Sequence, residues 1–262
     1  MSIAKTETPT MLALLHLAPR PGEVGHNKHL VEEAIGHISA LGVKLIVTPE
    51  LVVSGYGFRD MIGTDWIARG QKALFDWAGE LAQRASASLL LGTPEAATAD
   101  QALFNSVILF APDGTRVGHH RKINALRIDS ESWSSPGDRA TVLEIDGVGR
   151  VGLSICADMY SERLVSETAS RGVDLLISSA AWAPGLHGPD GEWERASLST
   201  QRPVLVCNRT GTDIIDFSLA RSIVAVDGAV MSSHSSPDSA VILVDWNPPS
   251  RQLANWRVIR WP

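Results

Sequence analysis

Short apolar runs separated by turn-forming residues are the feature that most restricts the folds available to this 262-residue chain. Glycine, proline, aspartate or asparagine bounds each run, and the length of each run suits a β-strand. Several runs are apolar at consecutive positions, which is typical of strands covered on both faces. The runs occupy residues 11–18, 44–50, 88–95, 106–112, 149–156, 174–181, 203–208, 222–226 and 240–246. They predict buried β-sheet.

Helices and hairpins are expected between these strands. Residues 27–41 and 65–85 place apolar side chains at helical spacing, which predicts helices that pack one face against a sheet. The dipeptide Asp-Gly, a strong hairpin signal, lies between apolar runs at Asp113-Gly114, Asp146-Gly147 and Asp227-Gly228. We therefore expect an α/β fold with mixed rather than purely parallel sheets. Since no linker or repeat interrupts the pattern, residues 1–262 are expected to form one domain.

The composition excludes several classes of protein. Lys and Arg number 23 against 29 Asp and Glu, a formal net charge of -6. No basic surface is therefore expected for nucleic acid or anionic membrane, and neither is predicted as a partner. No apolar run approaches the roughly 20 residues that cross a bilayer. Two cysteines are too few for a disulfide framework, and no targeting segment is evident, so we expect a cytoplasmic protein.

Reactive side chains stand where several predicted strands end, and ligands of open α/β sheets bind at such ends. Glu50 closes one run, Cys156 closes another, and Lys122 follows the strand that leaves the turn at residues 113–114. A helix predicted at residues 161–171 would place positive helix-end dipoles near Cys156, which favour the thiolate. Cys207 ends an apolar run with no helix-start pattern after it, which is typical of a buried, unreactive cysteine.

The segments around these three residues resemble the nitrilase superfamily of carbon–nitrogen hydrolases. TPELVVSGYGFRD at residues 48–60 resembles the acid motif of that family, and GHHRKINAL at residues 118–126 resembles its lysine motif. VGLSICADMYSERL at residues 151–164 is similar to its cysteine motif. Further similarities at residues 177–182, 204–211 and 220–231 extend the resemblance over about residues 10–245.

The resemblance implies a four-layer α-β-β-α sandwich with two mixed sheets, assembled as a homodimer or a higher homo-oligomer. It implies that Glu50 is the general base, Lys122 the cation that stabilises the tetrahedral intermediate, and Cys156 the nucleophile. The backbone N–H of Ala157 would be a second donor to the developing oxyanion. The implied reaction is hydrolysis of a small non-peptide amide through a thioester, with no cofactor and no metal.

The sequence leaves several assignments open. A second acid is common in the family between the lysine and the cysteine; Asp129 and Glu131 are the candidates here, and we favour Glu131. Tyr56 and Trp182 are expected to line the substrate pocket. A nitrilase would use the same three residues, and an N-carbamoyl amino acid hydrolase would need a cation such as Arg163 or Arg209. A Cys–His pair formed with His119 or His120, and a non-catalytic binding protein on the same fold, are the remaining alternatives.

Overall fold

The computed structural model describes residues 9–99, 102–125, 129–185 and 187–261, and these form thirteen strands and five α-helices. The strands are β1 (Thr10–His16), β2 (Leu45–Val47), β3 (Ser88–Ala96), β4 (Leu103–Phe110), β5 (Arg116–Arg121), β6 (Thr141–Ile145), β7 (Gly149–Ile155), β8 (Leu175–Ala180), β9 (Val204–Asn208), β10 (Ser222–Val226), β11 (Ala229–His234), β12 (Ala240–Asn247) and β13 (Gln252–Arg260). The helices are α1 (Val24–Gly36), α2 (Phe58–Ile62), α3 (Asp65–Ala85), α4 (Glu162–Ser170) and α5 (Glu192–Thr200). Short 3-10 turns lie at Asp129–Glu131 and Cys156–Tyr160.

The strands form two mixed sheets. The seven-stranded sheet has the order β13-β12-β1-β2-β3-β4-β5, and the six-stranded sheet has the order β11-β10-β9-β8-β7-β6. Strands β1, β2 and β3 are parallel, as are β7, β8 and β9, whereas their outer neighbours pair antiparallel. The predicted α/β fold with two mixed sheets is therefore confirmed.

Helices cover the outer face of each sheet, and this explains the consecutive apolar residues of the central strands. On β1, Leu12 and Leu14 pack in the core between the sheets, whereas Ala13 and Leu15 pack against α1 and α3. On the other side, Val165 of α4 and Ala196 of α5 join the core of the six-stranded sheet. The layers are thus arranged α-β-β-α, because a strand at the centre must bury both of its faces.

The local predictions hold for most elements. The three Asp-Gly turns connect the antiparallel pairs β4–β5, β6–β7 and β10–β11, and α3 has the predicted bounds. The first helix, expected at residues 27–41, runs instead from Val24 to Gly36. Strand β13 had no apolar signal in the sequence because all nine of its residues are exposed or only half-buried at the sheet edge. Within the described residues, no helix is long and apolar enough to span a bilayer.

The carboxyl ends of the central strands of both sheets lie at one end of the molecule. Glu50 lies three residues beyond β2, and β3 runs directly beneath it. A Cβ atom added to Gly92 of β3 would lie only 2.1 Å from the Pro49 carbonyl oxygen and 3.1 Å from the Glu50 Cα. Gly92 is therefore needed here for a close approach of backbones, which sets the position of Glu50 over the sheet.

We predict that Gly92→Ala moves the Pro49–Glu50 peptide and lowers the free energy of unfolding by about 1–3 kcal/mol, because the core has no room for the added methyl group. Urea denaturation measures this change. Gly70→Ala is the matched control, since Gly70 lies in α3 with open space around it. That variant should be more stable than wild type by roughly 0.5–1 kcal/mol. Equal stability of both variants would contradict the close approach.

Candidate active site

Residues from both sheets meet at this end of the molecule. The seven-stranded sheet provides Glu50 after β2, Asn105 near the start of β4, and Lys122 directly after β5. The six-stranded sheet provides Cys156 directly after β7 and Ala181 directly after β8. The predicted strand-end residues Glu50, Lys122 and Cys156 are therefore brought into one site, although 106 positions of the sequence separate the first from the last.

The Glu50 carboxylate is fully buried and each of its oxygens accepts hydrogen bonds. Its Oε1 accepts from Lys122 Nζ at 2.9 Å and from Asn105 Nδ2 at 2.7 Å. Its Oε2 accepts from the backbone N–H of Ala181 at 2.8 Å. The carboxylate is thus fixed by donors from both sheets.

Burial changes the proton affinities of this carboxylate and its cationic partner. Desolvation raises the pKa of Glu50 to about 7; the Lys122 ammonium opposes that increase, and the nearby Glu131 adds to it. For Lys122, burial alone would lower the pKa, but attraction to Glu50 and Glu131 outweighs it and raises the pKa well above its usual value. Near pH 7, therefore, Lys122 is charged and Glu50 is poised to gain or lose a proton.

Glu131 is the second acid that the structure places in the site. Its Oε1 lies 2.5 Å from Lys122 Nζ and 3.2 Å from Asn105 Nδ2, and the side chain is buried. Only the backbone of Asp129 is described, in the 3-10 turn that also contains Glu131. The side chain of Asp129, the alternative candidate, lies outside the described part of the structure.

Cys156 begins the second 3-10 turn with a backbone φ of +45°, in the left-handed region that non-glycine residues seldom occupy. Its Sγ lies 3.8 Å from the carbonyl oxygen of Ala181, the same residue whose N–H donates to Glu50. The Cys156 thiol and the Glu50 carboxylate therefore both contact the backbone of Ala181. Cys156 is buried except for 7% of its surface. Such local strain is frequent at functional sites.

The predicted tendency of Cys156 to ionise is wrong. Burial raises the pKa of its thiol well above the usual value, and the negative charges of Glu50 and Glu131 raise it further, whereas Lys122 partly opposes them. The turn after β7 has only five residues, and α4 begins at Glu162 with Ser161 as its N-cap, so no long helix starts at the sulfur. In the resting protein the thiol is consequently neutral, and its reaction requires a base.

Asp158 connects the segment around Cys156 with the segment around Lys122. Its Oδ1 accepts from the backbone N–H groups of Ile123 and Asn124, at 2.9 and 2.8 Å. Its Oδ2 accepts from the backbone N–H of Ile155 at 2.9 Å and lies 2.8 Å from His120 Nε2. The buried carboxylate thus bonds to residues that flank both the lysine and the cysteine. The sequence showed this aspartate within the cysteine motif but gave it no role.

The three residues predicted to contact substrate differ in their surroundings. Tyr56 is buried except for 9% of its surface; burial raises the pKa of its hydroxyl, and so does the charge of Glu131. Asn208 exchanges two hydrogen bonds with the backbone of Trp182, at 3.0 and 2.9 Å. The carbonyl of Ala157 accepts from Asn124 Nδ2 at 2.7 Å, while its N–H lies in the first turn, where a helix has no internal acceptors.

An aromatic rim adjoins the thiol. The rings of Tyr160 and Trp182 are 4.8 Å apart, and the rings of Trp182 and Trp193 are 5.2 Å apart. The Tyr160 hydroxyl and the Trp182 indole N–H both donate to the carbonyl of His187. Tyr160 is exposed, whereas Trp182 and Trp193 are buried. Sequence reasoning gave no role to Tyr160.

Other candidates from the sequence have different partners. Arg209 is fully buried rather than solvated, and its Nη1 lies 2.6 Å from Asp213 Oδ2, whereas Arg163 is exposed. Both ring nitrogens of His120 have partners, Asp158 Oδ2 at 2.8 Å and Thr141 Oγ1 at 3.2 Å, so this histidine does not serve the cysteine as a base.

Two further observations concern the second cysteine and metal binding. Cys207 is fully buried, as predicted, and its Sγ lies 3.2 Å from the carbonyl oxygen of Val47. In the ranges that the structure describes, no group of three histidine, cysteine, aspartate or glutamate residues could hold a metal ion.

A buried acid, a buried amine and a buried thiol thus meet at the carboxyl ends of two stacked mixed sheets. A family model described as carbon-nitrogen hydrolase matches residues 11–254. The chain belongs to the carbon–nitrogen hydrolase family, within the nitrilase superfamily. This membership confirms the predicted enzyme class, a hydrolase of carbon–nitrogen bonds other than peptide bonds.

Individual proteins show the same relationship. The chain is 24% identical to the probable nitrilase of Schizosaccharomyces pombe over 88% of this chain and 86% of that protein. It is 31% identical to an omega-amidase of Homo sapiens, but over only 54% of this chain and 52% of that protein. The fold is similar to that of an amidase of Nesterenkonia, solved as a cysteine-to-alanine mutant, with a TM-score of 0.81, 20% identity and 95% coverage of both chains.

We predict that Asp158→Asn lowers the free energy of unfolding by roughly 1–3 kcal/mol. The NH₂ group of the new amide would face backbone N–H groups, such as those of Ile123 and Ile155, that now donate to the carboxylate. Thermal and urea denaturation measure this loss. Asp138→Asn, at an exposed position, is the control and should stay within about 0.5 kcal/mol of wild type. An Asp158→Asn protein as stable as that control would show that the connection contributes nothing.

Proposed function

We propose that this protein hydrolyses the C–N bond of a small non-peptide amide, with Cys156 as nucleophile, Glu50 as base and Lys122 as the stabilising cation. The observation that carries the proposal is the placement of Glu50: one oxygen bonds to Lys122, and the other bonds to the residue whose carbonyl oxygen is 3.8 Å from the Cys156 sulfur. A carboxylate with a pKa of about 7 is a suitable base at neutral pH.

In the first half of the reaction, Glu50 takes the thiol proton as Cys156 Sγ attacks the amide carbon. The neutral state of the resting thiol makes this transfer necessary. The resulting tetrahedral intermediate carries a negative oxygen. Its C–N bond then breaks, Glu50 returns the proton to the departing nitrogen, and ammonia or an amine leaves a thioester on Cys156.

In the second half, water replaces the amine. Glu50 takes a proton from the water as the water oxygen attacks the thioester carbon. The C–S bond breaks, the acid product leaves, and Cys156 recovers its proton. One water molecule is consumed for each amide cleaved, and the protein returns to its starting state.

Lys122 suits the stabilisation of the oxyanion because its ammonium is only partly committed. An ammonium group has three N–H donors, and two of those of Lys122 bond to Glu50 at 2.9 Å and to Glu131 at 2.5 Å. Among the described residues the third donor has no acceptor, so it suits the oxygen of the intermediate. The N–H of Ala157 supports the same oxygen, since a preorganised pair of donors in a dry site is the usual device for this task.

The omega-amidases among the relatives support an amide, whereas the probable nitrilase of Schizosaccharomyces pombe supports the nitrilase alternative. Omega-amidases of Arabidopsis thaliana and Homo sapiens are among them, although the alignments cover 44% and 52% of those proteins. An N-carbamoyl amino acid hydrolase would need a cation for the substrate carboxylate; Arg209 is already paired with Asp213, which leaves the exposed Arg163 as the candidate. Nitrile hydrolysis would use the same three residues, so a screen of ammonia release from small amides, omega-amides, N-carbamoyl amino acids and nitriles separates these activities.

We predict that Cys156→Ala removes ammonia release, with a loss on the order of a thousandfold or more, because no other group in the site can form the thioester. Mass spectrometry should detect an acyl adduct on wild type and none on the variant. Cys207→Ala is the matched control, since the second thiol is buried away from the site. Ammonia release that survives Cys156→Ala would remove the proposed mechanism, and the absence of release from every compound with wild type would favour a binding protein.

We predict that kcat/KM rises with pH through an apparent pKa near 7, because Glu50 must be ionised to accept the thiol proton and its pKa lies at about 7. The sign follows from the charge of the base: below pH 7 Glu50 is protonated and inactive, and above it the carboxylate is available. Glu50→Gln should lower kcat by about 100- to 10,000-fold. A pH profile flat between 5 and 9 would exclude Glu50 as the base.

A further inference from the structure

The side chain of Asn105 lies between the two acidic groups of the site. Its Nδ2 is 2.7 Å from Glu50 Oε1 and 3.2 Å from Glu131 Oε1. These are the same two oxygens that accept from Lys122 Nζ. Each of the two carboxylate oxygens therefore receives one bond from a charged donor and one from a neutral donor. Only the NH₂ group of an amide can donate, so the network sets the orientation of the amide.

The backbone holds Asn105 in this position. The backbone N–H of Lys122 donates to the carbonyl of Asn105 at 2.8 Å. This bond joins the backbones from which the amide and the ammonium side chains project. The backbone N–H of Asn105 donates to Ser134 Oγ at 3.1 Å, three residues beyond Glu131. Asn105 is fully buried, and its Oδ1 has no hydrogen-bond partner among the described residues. A buried amide with an unpaired oxygen costs stability, so it is not explained by stability alone.

We propose that Asn105 is a positioning residue that holds Glu50 and Glu131 on one side of the Lys122 ammonium and keeps Glu50 free to take the Cys156 proton. The inference rests on the proposed role of Glu50 as the base. The charge of Glu131 favours the protonated form of Glu50, and a proton on Glu50 would occupy the base. A neutral donor that reaches both favours the ionised form of each without adding a charge to the site.

The direction of the effect follows from the groups that face Glu50. The charged and titratable groups that interact with it are Lys122, Glu131, Cys156, Tyr56 and Arg209. Among these, Glu131 raises the pKa of Glu50 and Lys122 lowers it, and the bond from Asn105 also lowers it. Removal of the Asn105 amide therefore raises the pH at which Glu50 becomes a carboxylate.

The test measures alkylation of Cys156 by iodoacetamide as a function of pH, with the modified peptide identified by mass spectrometry. In wild type the rate should rise through a midpoint near pH 7, where Glu50 ionises. In Asn105→Ala the midpoint should move up by about one pH unit, which lowers the rate at pH 7 by about fivefold. In Asn105→Asp, which keeps the shape of the side chain but loses the donor and adds a charge, the shift should be larger.

Ser106→Ala is the matched control. Ser106 is the next residue of β4, is fully buried, and donates to the carboxylate of Glu95 at 2.8 Å, outside the site. Its loss should cost stability but leave the alkylation midpoint at the wild-type value. If Asn105→Ala does not accumulate as folded protein, Asn105→Ser gives the same test, because its hydroxyl is too short to reach both carboxylates.

The outcomes separate this inference from the proposed function. A midpoint that stays within about 0.2 pH units of wild type in the Asn105 variants, or an Asn105→Asp protein with wild-type rates, would overturn the role of Asn105. Alkylation requires no amide substrate, so this result stands whether or not the ammonia screen finds one. If no compound in that screen releases ammonia, the proposed function fails and the measured midpoints still decide the role of Asn105.

Discussion

The buried contact between one ammonium and two carboxylates is the interaction on which the rest of the structure depends. Lys122 meets Glu50 and Glu131 where all three side chains are buried. Unpaired, any of these charges would cost several kcal/mol to bury. The cost is offset because every charge has hydrogen-bond partners. Burial raises the pKa of Glu50 and of the Cys156 thiol, and the negative charge of the neighbouring carboxylates adds to that increase.

Neither sheet contains this site alone. The acid, the amide and the ammonium project from the seven-stranded sheet, whereas the thiol and the Ala181 peptide project from the six-stranded one. Asp158 and the N–H of Ala181 bond across the division between them. The close packing of the two sheets is consequently needed to bring these groups together, and the apolar runs that form the shared core position the site as well as stabilise the fold.

Much of this organisation could be predicted from the sequence, because local patterns carried it. The Asp-Gly turns indicated hairpins, the apolar runs indicated strands, and three motifs indicated the positions of Glu50, Lys122 and Cys156. The proton affinity of Cys156 could not be predicted, since it depends on buried charges that are 34 and 106 positions away in the chain. The place of Asn105 in the site could not be predicted either, because an asparagine before an apolar run resembles a turn residue. Only its contacts with Glu50 and Glu131 in the folded protein distinguish it.

The neutral state of the Cys156 thiol affects how readily the sulfur is oxidised. Peroxide and related oxidants attack thiolates, and cysteines that serve as redox sensors are exposed and readily ionised. Cys156 is 7% exposed and holds its proton through burial and neighbouring negative charge. The sulfur is therefore less open to formation of sulfenic acid than an exposed thiolate would be.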